Sequence, residues 1–381
     1  MDISEVELIA TSSFGLESIV ARELKNLGYN RLTVENGRVV FKAELSAICR
    51  TNLWLRTADR VRLKVGEFDA TTFEDLFEKT KALPWPELLP ENALFPVDGK
   101  SVQSKLFSRS DCQAIVKKAV VESMKNKYKS DWFKEDGPLY RLEVSLLKDK
   151  ATLTIDTSGA GLHKRGYRHS GSGAPLRETL AAALVLIARW KPDITLIDPL
   201  CGSGTIPIEA ALLGQNIAPG MNRNFASEEW PIIPKQYWHE ARRETHELVD
   251  YNHHLDISGT DISPDAIKIA RNNAVEAGVE NLIHFQVRPL GELSSSKKYG
   301  KVICNPPYGE RLGKQPEIEE LYRQMGKIYA KLDTWSWYTV TAHEGFEKLF
   351  GLKASKRRKL YNGNIKVQYY QYFGPEPPNN S

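Results

Sequence analysis

The sequence predicts an α/β chain: a mostly parallel sheet covered by helices on both faces, preceded by a smaller α+β region. Three observations predict it. From about residue 174 onward, short apolar runs alternate with amphipathic helical runs, the pattern of parallel strands joined by helical crossovers. One of those strands, "ITLIDPL", leads directly into a glycine loop, "CGSGT", and then a helix. Before residue 160 the pattern differs and includes the paired strands "LYRLEVSLLKD" and "KATLTIDTSG". At 381 residues the chain exceeds one ordinary domain.

The elements follow in order. "VELIATSS" reads as a strand and "GLESIVARELKNLG" as an amphipathic helix, its apolar stripe Leu16, Ile19, Val20, Leu24 and Leu27 stopped by Gly28. "NGRVVFKA" is a strand opened by a turn, and "LSAICRTNLWLRTAD" a helix. The strand "RVRLKVGEFDA" precedes the helix "FEDLFEKTKAL", and Pro84, Pro86 and Pro90 break the chain after it. "FPVDGKSVQSKL" is a strand region and "SDCQAIVKKAVVESMKNKY" a helix. In the C-terminal half, a helix over 175–190, "ITLIDPL" and the helix "TIPIEAALLG" lead into a long excursion. Then come strand "DISGTDI", helix "PDAIKIARNNAVEAG", strands "LIHFQVR" and "KVICNPP", helix "EIEELYRQMGKIYAKL" and strand "WSWYTVTA". "KRRKLYNGNIKVQYYQYF" is an antiparallel hairpin with Asn362-Gly363 as a type I′ turn. The excursion, which holds Trp230, Tyr237 and Trp238, is expected to be a packed insertion rather than a lid.

Bulk properties narrow the class. With 41% hydrophobic and 26% charged residues, the chain has the makings of globular cores. The start lacks the basic and apolar regions of a signal peptide. The apolar run "LAAALVLIA" is well short of the roughly 18 residues needed to span a bilayer. A cytoplasmic protein is expected, with no membrane contact. The four cysteines form no C-x-x-C pair, so neither disulfides nor a metal site is expected. The first 160 residues balance their charges, so the net +4 comes from the remainder. Two acid-free basic stretches stand out there: 161–177, with Lys164, Arg165, Arg168 and Arg177, and 353–359, with Lys353, Lys356, Arg357, Arg358 and Lys359. Cations beside Tyr167 and Tyr361 can meet a phosphate backbone.

The glycine loop is the first chemical signal. Between a strand and a helix, it occupies the place where a doubly wound sheet binds a nucleotide-like ligand. Gly202 and Gly204 allow a sharp turn and a close approach of backbone to ligand, and the helix start behind them suits a carboxylate. Asp198, at the strand end, can pair with an amine. No lysine follows the second glycine, so this is not a phosphate-binding P-loop, and Pro207 occupies the third glycine position of a dinucleotide fingerprint. Cys201 suits a crowded loop, and no histidine stands near it in sequence to make it a nucleophile. In "SGTDIS", Asp261 ends the next strand, where an acid can accept both hydroxyls of a ribose.

The second signal is "VICNPPYGERLG". Each proline pushes the residue before it into an extended conformation and removes a donor. The Asn305 side-chain oxygen and the Pro306 carbonyl are then two free acceptors, matched to the two hydrogens of an exocyclic amino group. Accepting both draws the nitrogen lone pair out of conjugation, and Tyr308 offers a face for the base to stack on. Catalysis of this kind is mainly positioning and electrostatics.

With "DPLCGSGT", "GTDIS" and "NPPY" in that order, the chain resembles the Rossmann-like class I methyltransferases that use S-adenosylmethionine and act on exocyclic amines. "GLHKRGYRHSGSGAPLRETLAAAL" and the extension "NPPYGERLG" resemble, more narrowly, the bacterial THUMP-domain methyltransferases of the 23S rRNA guanine-N2 family. The resemblance covers nearly the whole chain. It implies a ferredoxin-like segment over 1–65, a THUMP RNA-binding domain over 66–160 and a methyltransferase domain over 161–381, with a seven-stranded sheet closed by an antiparallel hairpin. It implies that Asp198, Gly202 and Gly204 hold the methionine part of the cofactor, that Asp261 holds its ribose, and that Pro199, Cys201, Ser203 and Ile262 belong to the same cofactor-binding set. Pro175 and Arg177 would line the cofactor entrance, and Asn305, Pro306, Pro307 and Tyr308 would hold the target base. RNA is the implied partner, through Lys105, Arg109, Lys164, Arg165, Tyr167, Arg168 and Arg311, with Lys105, Arg109, Lys117 and Lys118 expected on one face. The implied protein is a monomer or weak homodimer without metal. One position departs from the family: where relatives end the third strand with an aspartate for the adenine amine, this chain reads "FQVRPLGEL", with Arg288 there and the nearest following acid at Glu292. N6-adenine methylation of DNA or RNA, tRNA guanine-N2 methylation and non-catalytic RNA binding are the competing readings.

Overall fold

A computed structural model describes residues 5–168, 176–308 and 315–378. They form two compact units, one of Met1–Ser12, Val20–Leu162 and Arg223–Glu244, the other of Ser13–Ile19, His163–Asn222 and Thr245–Ser381.

The first unit is built on a seven-stranded sheet: β1 Val6–Thr11, β2 Leu32–Glu35, β3 Arg38–Ala43, β4 Arg60–Asp69, β5 Val97–Val102, β6 Leu142–Leu147 and β7 Lys150–Asp156. The order is β2-β3-β1-β4-β7-β6-β5. Every pair is antiparallel except β5 with β6. The helices up to residue 128 are α1 Glu17–Asn26, α2 Ala47–Trp54, α3 Phe73–Lys81, α4 Trp85–Leu88 and α5 Arg109–Tyr128. Strand β2 is an element the sequence did not announce; it is four residues long, half of them exposed, so it carries little hydrophobic signal.

The excursion after the glycine-loop helix packs, as expected. Trp230 is buried and stacks on Tyr140 with ring centroids 4.4 Å apart, and its indole N–H donates to the Leu139 carbonyl at 3.0 Å. Trp238 stacks on Phe225 at 5.3 Å.

The expectation of one basic face fails. Lys117 Nζ lies 3.5 Å above the Phe95 ring and pairs with Glu135 at 2.6 Å. Its neighbour Lys118 reaches the Phe77 ring instead, at 5.6 Å. Adjacent residues on a helix point about 100° apart, so the two lysines face different neighbours. Lys105 and Arg109 remain exposed.

The second unit holds β8 Leu196–Asp198, β9 Ile257–Asp261, β10 Ile283–Val287, β11 Lys301–Cys304, β12 Ser336–Thr341, β13 Lys356–Asn362 and β14 Ile365–Tyr372, in the order β10-β9-β8-β11-β12-β14-β13. The first five are parallel; β14 runs antiparallel to β12 and to β13. The remaining helices in chain order are α6 Glu178–Ile187, α7 Thr205–Gly214, α8 Lys235–Glu247, most of which belongs to the first unit, α9 Pro264–Glu276, α10 Gln315–Tyr329 and α11 Phe346–Phe350. Alternation along the strands fills two cores. Leu196, Ile303 and Val340 point to the face covered by α6, α7 and α9, while Ile197, Val302, Cys304 and Trp337 point to the face covered by α10 and α11. The strand order reverses between β8 and β11, a switch point at whose carboxyl ends α/β sheets bind ligands.

The hairpin forms, and its turn differs from the expected type. Asn362 pairs with Ile365, so the two-residue loop is Gly363-Asn364, with the positive φ on Gly363 at +61°. Glycine at the first central position is the type II′ pattern, not type I′.

Candidate active site

Asp198 ends β8 and Asn305 follows β11, neighbouring strands whose register pairs Ile197 with Val302. Asp198 is 1% exposed. Burial pushes its carboxyl well above the ordinary value, against the pull of the Leu200 N–H, which donates to Oδ1 at 3.2 Å. Pro199 is buried.

The glycine loop is fastened at several points. Cys201 N donates to the Thr260 carbonyl at 2.9 Å, and Gly202 N donates to Asp261 Oδ2 at 3.0 Å. Ser263 N donates to the other oxygen, Asp261 Oδ1, at 3.0 Å. Asn273 Nδ2 donates to the Ser203 carbonyl at 2.9 Å. Both glycines have positive φ, +52° at Gly202 and +79° at Gly204. A Cβ on Gly204 would fall 2.9 Å from both Ala270 and Phe285, whereas one on Gly202 would meet nothing within 4 Å. So Gly204 is required by packing as well as backbone, and Gly202 leaves an open cradle. Cys201 is buried, and burial pushes its thiol upward, away from a reactive thiolate.

A cavity of about 340 Å³ opens here, lined by Asp198, Cys201, Gly202, Ser203, Asn305 and Arg168. The α9 side of its wall includes Ser263, Asp265 and Asn273, none of them anticipated. Asp261 braces the loop through Gly202 N and is not among the described cavity-lining residues. Ile262 is largely exposed, and Arg177 stands at the start of α6 near Gly363 rather than in the cavity wall. Pro175 and Arg311 lie outside the described residues. At the end of β10, Arg288 N donates to the Asp261 carbonyl at 2.9 Å, and the guanidinium turns to the Glu292 carbonyl.

After β11 the asparagine amide is the notable group. Asn305 Oδ1 is buried and has no hydrogen-bond partner. Pro306 is buried, and the Pro307 carbonyl accepts the Tyr322 hydroxyl at 3.0 Å. Tyr322 Oη also lies 2.9 Å from Thr341 Oγ1. Tyr308 is half-buried against the apolar core, and its hydroxyl accepts from Asn362 Nδ2 at 3.1 Å. Tyr322 and Asn362 escaped sequence reasoning because they come from α10 and the terminal hairpin. Only the topology brings them here.

The basic stretch over 161–168 requires correction. Arg165 and Tyr167 do not face outward: they are 4% and 3% exposed. Arg165 Nε pairs with Glu209 Oε1 at 3.4 Å, and the Tyr167 hydroxyl donates to the same oxygen at 3.0 Å. An acid on α7 recruits them into the core. Arg168 turns into the cavity; Lys164 is exposed. In the second basic stretch, Arg357 pairs with Glu347 at 3.3 Å, and Arg358 donates to the Gly15 carbonyl at 2.6 Å and to Ser18 Oγ at 2.9 Å.

Comparison with known proteins agrees with this geometry. Residues 165–371 match the RMKL-like methyltransferase domain, residues 7–62 the RlmL ferredoxin-like domain and residues 70–156 the THUMP domain. YpsC of Bacillus subtilis (strain 168), a proposed RNA methyltransferase, is 52% identical over 373 residues, covering 97% of each chain. A structure from Listeria monocytogenes str. 4b F2365, titled a predicted N6-adenine-specific DNA methylase, is 55% identical with a TM-score of 0.93 and covers 97% of each chain. SMU.472, a methyltransferase candidate solved with SAH, is 46% identical with a TM-score of 0.93, covering 98% of this chain and 99% of its own. Among the described residues, no helix is long and apolar enough to cross a membrane.

Proposed function

The chain belongs to the RMKL-like methyltransferases that also carry RlmL ferredoxin-like and THUMP domains, and from that premise we propose that it methylates the exocyclic N2 of a guanine in RNA, 23S rRNA first among candidates. One observation carries the reading: a buried amide oxygen without a partner, Asn305 Oδ1, in the wall of the cavity that Asp198 and the glycine loop share. An orphaned buried acceptor costs about 1–3 kcal/mol. A ligand that donates to it recovers that cost.

The residues present fit S-adenosylmethionine, and SAH occupies the SMU.472 relative. Gly202 leaves the space that a side chain would fill, and Asp198 supplies a carboxylate for a cationic amine. When bound, the cofactor supplies an electrophilic methyl group. Asn305 Oδ1 accepts one amino hydrogen of the base and the Pro306 carbonyl the other, so the nitrogen lone pair turns toward the electrophile. Tyr308 supports the base plane, held by Asn362. Tyr322 fixes the Pro307 carbonyl and with it the peptide beside Pro306. The surplus proton of the alkylated amine leaves readily to solvent, so no strong base is required.

The THUMP match favours RNA over DNA as substrate. The resemblance of "NPPYGERLG" to the guanine-N2 family favours guanine over adenine. N6-adenine methylation stays as the second reading, because the same two acceptors hold either amine and the Listeria relative carries that title. Nucleoside mass spectrometry of a strain lacking the gene tests the proposal. Loss of N2-methylguanosine from rRNA is expected; unchanged N2-methylguanosine in both rRNA and tRNA would sink it.

A further inference from the structure

Arg168 sits in the cavity wall beside Gly202 and Ser203, and it is the only cation among the described lining residues. Its guanidinium is held in a set orientation. Nη1 pairs with Glu178 Oε1 at 3.3 Å, and Nη2 donates to the Leu176 carbonyl at 3.2 Å and to Thr205 Oγ1. Thr205 opens α7, and its hydroxyl lies 3.2 Å from that of Ser203 in the glycine loop. Arg168 is therefore fixed to the loop and to α6 at once. Its Nε is buried and has no partner.

An arginine offers five N–H groups in one rigid plane and stays charged. Three of these are accounted for by Glu178, Leu176 and Thr205, which leaves donor capacity in a wall that also presents Asp198. An α-amino acid carries an ammonium and a carboxylate on neighbouring atoms. Its recognition calls for an acid and a cation within one site, and Asp198 and Arg168 both line this one cavity.

We infer that Arg168 binds the carboxylate of the cofactor's amino-acid part, while Asp198 takes its ammonium. This rests on the cofactor reading above. It removes Arg168 from the RNA-contacting set and makes it a determinant for ligands that carry the amino acid.

The test compares two ligands by calorimetry. S-adenosylhomocysteine has the amino-acid part; 5′-methylthioadenosine has the same nucleoside and thioether without it. Arg168→Met should weaken S-adenosylhomocysteine about 10- to 100-fold, the range of a charge-assisted contact, and leave 5′-methylthioadenosine within about twofold. Retained binding of the second ligand also reports that the variant is folded. Arg168→Lys, which keeps the charge and loses the fork, should fall between, and it carries the same comparison if the methionine variant does not fold. Equal weakening of both ligands would make Arg168 a brace of the wall and overturn the assignment, as would unchanged affinity for S-adenosylhomocysteine. A wild-type protein that binds neither ligand would overturn the cofactor reading itself along with it.

Discussion

The Asn362 amide donates to the Tyr308 hydroxyl at 3.1 Å, tying the terminal hairpin to the residue that closes the NPPY element. The ring is thus oriented from 54 residues away in sequence. Asn362→Leu removes the donor and should lower methyl transfer several-fold while leaving S-adenosylhomocysteine affinity unchanged. Tyr308→Ala, which removes the stacking face, should cost about 1–3 kcal/mol, or roughly 5- to 150-fold, in transfer at low RNA concentration. Steady-state kinetics with varied RNA checks both. Equal activity of Tyr308→Ala and wild type would contradict the stacking role.

Asp198 should make S-adenosylhomocysteine binding pH-dependent. Burial raises its carboxyl well above the ordinary 3.8. Between 3.8 and that raised value the folded protein holds a proton that the unfolded chain has lost. The folded state binds more protons over that window, so Asp198 makes stability fall as pH rises through it. An ammonium bound against the carboxylate favours the ionised form. S-adenosylhomocysteine affinity should therefore rise with pH across the same window, and Asp198→Asn should flatten the profile. Calorimetry in buffers of different ionisation enthalpy measures the released proton; no release from the wild type at the low-pH end would contradict the pairing.

The Arg165–Glu209 pair is a stability element, with side chains 2% and 0% exposed. Removing one partner of a buried ion pair strands the other charge. Glu209→Ala should cost about 3–5 kcal/mol, read as a drop in the denaturant midpoint. A midpoint within error of wild type would show that the pair contributes nothing.

Gly204→Ala should destabilise by about 1–3 kcal/mol, since it combines a left-handed backbone with a Cβ 2.9 Å from Ala270 and Phe285. Gly202→Ala should cost less stability, because its Cβ would meet nothing within 4 Å. It should cost more cofactor affinity, because the methyl group fills the cradle. Thermal unfolding alongside S-adenosylhomocysteine titration separates the two effects. A Gly202 variant with full affinity would remove that residue from the cradle.

These contrasts show what was legible in the sequence. The gathering of Asp198, Gly202 and Asn305 around one cavity was readable because each signal is local: a strand end, a glycine loop, an asparagine before prolines. Tyr322, Asn273 and Asn362 were not, since each reaches the site from a separate element. Arg165 and Tyr167 read as a basic, aromatic surface because nothing nearby in sequence reveals that Glu209 will be buried beside them. Helix α8 was missed inside a polar excursion, although Tyr237, Trp238, Ala241 and Thr245 recur at helical spacing on one side of it. The hairpin was placed correctly and its turn was not: Asn-Gly suggests type I′, yet the strand pairing runs through Asn362 and leaves Gly363-Asn364 as the loop.

The central claim is that Asn305 presents an acceptor to the exocyclic amine of a guanine in RNA. The most direct test incubates wild type and Asn305→Ala with S-adenosylmethionine carrying a deuterated methyl group and with unmodified 23S rRNA, then identifies the labelled nucleoside by mass spectrometry. The account predicts label in N2-methylguanosine with the wild type, and a loss of about 100-fold or more in the variant, as for other catalytic hydrogen-bonding groups. Label in N6-methyladenosine, or an Asn305→Ala enzyme as active as wild type, would contradict it.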